Sequence, residues 1–317
     1  MDIKKGKKGI SVIVLVVAFI IPALYVYSRS ENRFSTYNVK SFAAETGVQF
    51  EQYGQTIQEC ITNYKPFYDN YENDLYNQLK NKTGKVLNDY SRSFSTKKRA
   101  CLTGKIIYKY SDGAVFEGNI KNGLRSGRGT MKYVNGVTYV GKWKNDKFYG
   151  SGSIKCGSKY EISGMYDNGK LLHGYLKVHR KKDIFSIEIK GDKPTNKLKA
   201  ELSNGDSYEG YIINGKFSGN CRIMYHDGDF YEGMVENNIK SGVGYYSWAK
   251  GPHYSGMWEK DEMNGEGIYS YTSSDYPYLF GKFVSNKPSG NCSYYRNPER
   301  VYETIWSNGY CTLVSEK

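Results

Sequence analysis

Apolar side chains return along this chain at an almost constant interval. Nine of them follow one another 23 residues apart, except for one interval of 25 residues. They are Phe116, Tyr139, Ile162, Phe185, Tyr208, Tyr231, Tyr254, Leu279 and Tyr302. Self-similarity at a fixed period indicates a repeat protein, in which one supersecondary unit is copied and stacked.

Within each copy, apolar and small residues alternate with a period of two. Counting the first apolar residue as position 0, Gly is typical at positions 2, 11 and 13, and an apolar residue at position 4. Such alternation predicts β-strands with two different faces. Asn122-Gly123, at positions 6 and 7, favours a type I′ hairpin turn, and Asn135-Gly136 marks a second turn. We therefore expect a mainly β protein, an elongated single-layer antiparallel meander of about eighteen strands spaced about 4.8 Å apart.

The glycines suggest how the copies pack. Gly weakens a strand interior, because it adds backbone entropy and offers no side chain to bury. The missing side chain leaves room for the Tyr or Trp of a neighbouring copy to lie over the backbone. Neighbouring copies would then bury one another.

The repeat resembles the MORN repeat (membrane occupation and recognition nexus). Val137 to Gly152, VTYVGKWKNDKFYGSG, and the stretch DFYEGMVENNIKSGVG ending at Gly244 carry the resemblance. It extends from about Gly104 to the C-terminus. The resemblance implies protein partners or acidic membrane surfaces as ligands, and it implies no enzyme activity.

Two copies depart from the pattern. The copies that begin at Ile162 and Phe185 have His173 and Asn196 at position 11, and Ile187 stands where Gly is expected. We expect these copies to bend the array or to form a special surface.

The N-terminus predicts a membrane anchor. Residues 1–9 form a basic tail with four lysines, and residues 10–27 are uncharged and apolar. A run of this length can cross a bilayer, and the preceding lysines place the N-terminus in the cytoplasm. We expect an integral, single-pass membrane protein whose repeats lie outside the cytoplasm; the alternative is a cleaved signal peptide.

Residues 28–100 differ in composition and predict a helical juxtamembrane or stalk segment. Apolar residues spaced three and four apart form a short heptad seam. Two alternatives stay open: an intramolecular helical hairpin packed on the first strands, or a coiled coil that makes a homodimer through residues 50–79. The seam contains Ile57, Ile61, Tyr64, Tyr68, Tyr71 and Leu75.

Charge is unevenly distributed along the chain, whose net charge is +13. Residues 101–207 contain 20 Lys and Arg against 10 Asp and Glu, whereas residues 208–317 contain 10 against 13. Lys177, Arg180, Lys181 and Lys182 concentrate the positive charge near a predicted turn. They form either a solvated loop or a contact for acidic lipids, anionic cell-wall polymer or an acidic protein. A nucleic-acid partner is not expected, because no recognition element is present.

The sequence predicts no catalytic, cofactor or metal site. The four histidines fall at different repeat positions and show no ligand spacing. Cys221 and Cys292 stand at position 13, where a small buried residue fits. Cys60 and Cys101 are the one pair considered for a disulfide.

These observations predict a repeat array over residues 101–317 with a noncatalytic role. The main hypothesis is a membrane-anchored scaffold that presents a Tyr- and Gly-rich surface to proteins or acidic lipids. The alternative is an extracytoplasmic protein that binds carbohydrate or cell-wall polymer. The candidate binding residues are the basic group Lys177, Arg180, Lys181 and Lys182, and the aromatic group Tyr139, Trp143, Tyr254 and Trp258.

Overall fold

The computed structural model describes residues 47–69, 75–90 and 102–316, which are mainly β. Within them lie two helices, α1 (Gly47–Thr62) and α2 (Leu75–Lys80). The strands are β1 (Lys85–Asp89), β2 (Gly104–Lys109), β3 (Val115–Lys121), β4 (Leu124–Lys132), β5 (Val137–Lys144), β6 (Lys147–Cys156), β7 (Tyr160–Asp167), β8 (Lys170–Arg180), β9 (Asp183–Lys190), β10 (Lys193–Glu201), β11 (Ser207–Ile213), β12 (Lys216–Met224), β13 (Phe230–Glu236), β14 (Ile239–Ser247), β15 (His253–Glu259), β16 (Glu262–Ser270), β17 (Tyr278–Val284), β18 (Lys287–Asn297), β19 (Arg300–Ser307) and β20 (Tyr310–Glu316).

The chain divides into two compact units. The first unit is Gln52–Gly215 and contains β1 to β11; the second unit contains β12 to β20. Within each unit, every strand pairs antiparallel with its neighbours in the chain. The predicted antiparallel meander is therefore confirmed. Each copy of the repeat supplies two strands, from β3 onward, and β1 and β2 precede the first copy.

The predicted type I′ turns are present. Asn122 and Gly123 have φ angles of 54° and 74°, both in the left-handed region. Asn145 and Asp146 replace Asn-Gly in the next copy with φ angles of 51° and 64°. Asn and Asp tolerate this conformation better than other side chains, so the turn survives the loss of its Gly.

The tyrosine at position 0 folds back over the glycines of its own hairpin. Tyr139 donates its phenolic hydrogen bond to the carbonyl of Lys142 at 2.8 Å. A Cβ added at Gly141 or Gly152 would overlap the Tyr139 ring. The room left by these glycines is thus filled from the same copy, and the expectation that a neighbouring Tyr fills it was wrong.

A tryptophan at position 4 does reach the preceding copy. The indole N–H of Trp143 donates to the carbonyl of Gly129 at 3.4 Å, and that of Trp258 donates to the carbonyl of Gly244 at 3.1 Å. These bonds join consecutive hairpins on the inner face, which we define as the face that carries positions 0, 2 and 4.

The region before the array is only partly helical among the described residues. α1 ends at Thr62, and the chain from Tyr64 to Asp69 is neither helix nor strand. Pro66 lies in this stretch and cannot donate a helical hydrogen bond. The seam is therefore not one continuous helix. β1 also pairs with β2 although it lies before residue 101, so strands begin earlier than expected.

The segment from Gly54 to Asp69 packs on the strands of the first unit, to which it belongs. Ile57 is fully buried, and Phe67 stacks against Phe148 with ring centroids 6.4 Å apart. Gln58 accepts a hydrogen bond from the backbone of Gly215 at 3.3 Å. This packing agrees with an intramolecular arrangement; dimerisation through residues 50–79 stays a prediction.

Residues 1–46 lie outside the described part of the chain, so the expected basic tail and membrane span are not described. No helix among the described residues has the length and apolar character that crossing a bilayer requires. Cys60 is a free thiol, and Cys101 is also outside the described residues.

Candidate binding surfaces

The four aromatic candidates lie in the core. Tyr139 and Tyr254 have no exposed surface, and Trp143 and Trp258 are each 2% exposed. Positions 0 and 4 point to the same face, so each Tyr packs edge-on against its own Trp, with centroids 5.0 Å apart for Tyr139 and Trp143. The expectation that these residues form an exposed aromatic surface was wrong, because they are buried and hold the hairpins together.

The basic candidates are split between two faces. Lys181 and Lys182 are exposed at the β8–β9 turn, where Lys181 has a φ of 57°. Lys177 lies opposite Glu161, whereas Arg180 borders a cavity with Cys60 and Tyr160 under α1. The predicted turn position is confirmed, and Lys181 and Lys182 are the members most open to solvent. Their binding role stays a prediction.

The accessible face is the outer face, which carries positions 1, 3, 12 and 14. In the second unit this face is rich in exposed apolar side chains. Examples are Val243 at 64% exposure and Phe280 at 43%. Others are Met234, Met257, Ile268 and Ile305. The sequence signal for these residues was present in the same period-two pattern, at the positions that alternate with the glycines.

The outer face of the first unit contains a groove that crosses β2 to β7. Three exposed basic residues border it, namely Lys105 on β2, Arg128 on β4 and Lys142 on β5. Arg128 and Lys142 are directly opposed across β4 and β5. We call these three residues the cationic row. Sequence reasoning missed it, because its members are 23 and 14 residues apart in the chain.

Two buried cations occupy equivalent places at position 9. Arg125 is fully buried and lies 4.1 Å from the centroid of the Trp143 ring; its guanidinium contacts Asp146 at 3.1 Å and Asp69 at 2.5 Å. Tyr133 donates to the other oxygen of Asp69 at 2.9 Å. A buried charge is tolerated only when it is paired and hydrogen-bonded, and this network meets both conditions.

Lys240 repeats the arrangement in the second unit. Its ammonium is fully buried, lies 3.9 Å from Asp261, and has Tyr225, Tyr231, Tyr246 and Trp258 rings at 5.3 to 5.9 Å. Aromatic faces attract a cation through their quadrupole. Lys240 therefore belongs to the core, although a lysine in a period-two strand reads as a surface residue.

The aspartates in these pairs also join consecutive hairpin turns. Asp146, at position 7, accepts from the backbone N–H of Arg125 at 2.6 Å, and its own N–H donates to the Arg125 carbonyl at 3.1 Å. Asp261 makes the same two bonds with Lys240, at 2.8 and 3.2 Å. Asn238 and Asn286 repeat this reciprocal bond with Phe217 and Met263.

The cysteines at position 13 are buried as expected. Burial raises the pKa of the Cys221 thiol to about 12 and that of Cys292 to about 11. Both thiols are thus protonated at neutral pH and act as small core residues. Among the described residues, no group of three or more His, Cys, Asp or Glu is placed to hold a metal ion.

Comparison with known proteins agrees with the repeat pattern. The model of the MORN repeat matches residues 116–138, 139–158, 208–230, 231–252 and 254–276. All five matches begin at position 0 of a copy, and the two atypical copies at Ile162 and Phe185 lie between matches.

The searches of curated proteins and of solved structures add less. No curated protein matches the chain. A solved structure of the SAS-4 TCP domain from Drosophila melanogaster, in complex with a proline-rich motif of Ana2, is 14% identical; the match covers 53% of this chain and 77% of that one, with a TM-score of 0.22. The family model and the hairpin register agree, and the chain therefore carries repeats of the MORN family between residues 116 and 276.

Proposed function

We propose that this chain is a noncatalytic binding scaffold that meets its partners with the outer face of its sheets. The observation that carries the proposal is the burial of the inner aromatic side chains. Tyr139, Tyr231 and Tyr254 are fully buried by their own repeats, so they are not accessible to a ligand. The outer face is the surface that remains.

The apolar outer face of the second unit supports protein or acidic-lipid partners. Met257 lies opposite Val243, and Ile268 lies opposite Phe280, so the exposed apolar side chains adjoin across strands. Contiguous exposed apolar surface is typical of sites that contact proteins or membranes.

An outer-face variant tests this proposal. Val243→Asp with Ile268→Asp places two charges on the apolar surface, and the control is Val134→Asp, an equally exposed valine at a turn of the first unit. We expect the double variant to lose binding of the full-length chain to phosphatidylglycerol vesicles and cross-linking to proteins of its own membranes. Unchanged binding in both assays, with an unchanged circular dichroism spectrum, would contradict the proposal.

We also propose the single-pass anchor predicted from residues 1–27. The lysine bias before the apolar run supports an array outside the cytoplasm. Protease added to intact cells is expected to digest the repeats. Complete protection of the repeats in cells whose surface proteins are digested would reverse the orientation, and release of the protein into the soluble fraction would favour a cleaved signal.

Carbohydrate or cell-wall polymer binding is the second candidate, and one feature of the outer face favours it. Tyr278 and Tyr295 stack with centroids 4.5 Å apart and an interplanar angle of 16°, and both are partly exposed. Tyr276 extends the row, 5.4 Å from Tyr278. Rows of tyrosine suit sugar rings. Sedimentation with insoluble cell-wall polysaccharide is expected to be lost in Tyr278→Ala with Tyr295→Ala if this candidate is correct.

A further inference from the structure

The cationic row lacks the ion pairs that several other basic residues of the outer face make. Lys190, Lys199 and Arg222 each have a carboxylate within reach, at 3.3 Å from Glu188, 3.0 Å from Glu209 and 3.1 Å from Glu232. In the described part of the chain, no ion pair joins Lys105, Arg128 or Lys142 to a carboxylate.

Two members of the row also repel each other. Arg128 and Lys142 are Cα partners on adjacent strands, and their side chains extend from the same face. Like charges directly opposed across a sheet are destabilising. An anionic ligand in the groove would relieve this repulsion. Glu117 also borders the groove, which limits its net charge without pairing with the row.

The groove has the dimensions of an extended peptide. It crosses six strands, from Lys105 on β2 to Met165 on β7, which is about 24 Å at about 4.8 Å per strand. An extended chain of about seven residues covers that length at about 3.4 Å per residue. The groove is cationic towards β2 and becomes hydroxyl-bearing and apolar towards β7, where Ser151, Ser163 and Met165 border it.

Other ligand classes fit the groove less well. No Tyr, Trp or Phe is among the described residues that border it, and these residues therefore offer no ring on which a sugar could stack. The floor of the groove is the backbone of paired strands, including Gly129, Gly141 and Gly152. A bilayer surface is flat and does not reach into such a groove. Backbone at the floor is reached by a narrow, extended ligand.

We propose that this groove binds an acidic, extended peptide segment of a partner protein, with its carboxylates on Lys105, Arg128 and Lys142. The proposal rests on the binding role given above and specifies the partner chemistry for the first unit. Charge complementarity of this kind sets specificity and makes binding sensitive to salt.

The test uses the full-length chain and a fluorescein-labelled peptide of eight glutamates, with an eight-glutamine peptide as its neutral match. The groove variant is Lys105→Gln, Arg128→Gln and Lys142→Gln. The matched control is Lys121→Gln, Lys132→Gln and Lys155→Gln, which removes the same charge from exposed outer-face positions of the same unit, outside the groove. Fluorescence anisotropy gives the Kd at low and high salt.

We expect the glutamate peptide to bind the wild-type chain more tightly than the glutamine peptide. The groove variant is expected to weaken binding about 10-fold or more, as three exposed ion pairs at several tenths of a kcal/mol each allow, and the control variant less than about 2-fold. Equal losses in both variants, or no loss in the groove variant, would overturn the proposal. Binding to phosphatidylglycerol vesicles that depends on the cationic row, without peptide binding, would also overturn it and leave the scaffold role intact.

Discussion

At the scale of single residues, the glycine at position 2 and the tyrosine at position 0 act as a pair. The ring of Tyr254 lies over Gly256 and Gly267, and its hydroxyl donates to the carbonyl of Met257 at 3.0 Å. The tyrosine can adopt this position only while both glycines lack a side chain.

Gly256→Leu is therefore expected to destabilise the second unit, by about 1–3 kcal/mol or more, because the new side chain overlaps the Tyr254 ring. The matched control is Ser255→Leu, which places the same side chain at the adjacent, exposed outer-face position. Urea unfolding measures both. A Gly256→Leu variant as stable as the control would show that the inner face can repack.

The residues at positions 9 and 7 of consecutive copies also match each other. Lys240 faces Asp261, whereas Met263 has Asn286, which keeps the bond to the backbone and carries no charge. In both cases the side-chain oxygen accepts the backbone hydrogen bond. Only the aspartate also carries a negative charge, which pairs with the buried ammonium of Lys240.

We therefore expect Asp261→Asn to destabilise the protein, because the amide accepts the Lys240 backbone bond but leaves the buried ammonium without its carboxylate. Breaking a buried pair from one side typically costs about 3–5 kcal/mol. The double variant Lys240→Met with Asp261→Asn, which copies Met263 and Asn286, is expected to recover most of that loss. A double-mutant cycle measures the coupling, and strictly additive effects of the two substitutions would contradict this account.

At the scale of elements, the stretch from Tyr64 to Asp69 is as much part of the first unit as a strand. Phe67 packs edge-on against Tyr133, with centroids 5.1 Å apart, and Asp69 binds Arg125 at 2.5 Å. The side chains of Arg125 and Asp69 are 1% and 6% exposed. The pair is thus screened little by solvent.

Asp69→Ala is expected to destabilise the first unit by about 3–5 kcal/mol, since Arg125 keeps its charge in the core and loses one carboxylate. Tyr68→Phe is the control, because Tyr68 is exposed and its hydroxyl makes a long, 3.3 Å bond to Asp192. Hydrogen exchange of β4 and β5 amides reports the local effect. Equal protection in the two variants would show that the segment does not stabilise these strands.

At the scale of the whole molecule, each unit gains its stability from contacts between consecutive strands. Such a stack behaves as a one-dimensional array, in which loss of terminal repeats removes only their own interfaces. Deletion from Leu279 onward is expected to leave a folded remainder with slightly lower stability. Loss of the β-sheet circular dichroism signal after this deletion would instead indicate that the second unit folds only as a whole.

Buried tyrosines limit the stability of the whole molecule at alkaline pH. Burial raises the pKa of Tyr64, Tyr108 and Tyr294 from 10.0 to about 12 in the folded chain. A raised folded-state pKa contributes stability that is fully present below pH 10 and is lost as the pH rises through about 12, because the unfolded chain releases these protons first. We expect Tm to fall over this interval, and we expect the ultraviolet absorbance of tyrosinate to appear at a higher pH than in the unfolded chain. A Tm that stays constant across it would contradict the burial of these phenols.

Much of the array followed from the sequence by itself. Three patterns specify antiparallel hairpins, because strand period and turn geometry are local properties. They are the regular repeat interval that relates residues such as Tyr139 and Tyr208, the Asn122-Gly123 turn, and the alternation of apolar residues with glycine. The small cysteines at position 13 were predicted for the same reason. Local patterns do not say which of the two strand faces is covered.

The tertiary structure decided that question. Tyr139 and Trp143 lie in the core and the outer face is exposed, because the rings fill the space that the glycines leave and bond to backbone carbonyls. Burial of Arg125 depends on Asp69, a contact between residues 56 apart in the chain. The cationic row likewise exists only because pairing of β2 to β5 brings distant residues side by side on one face.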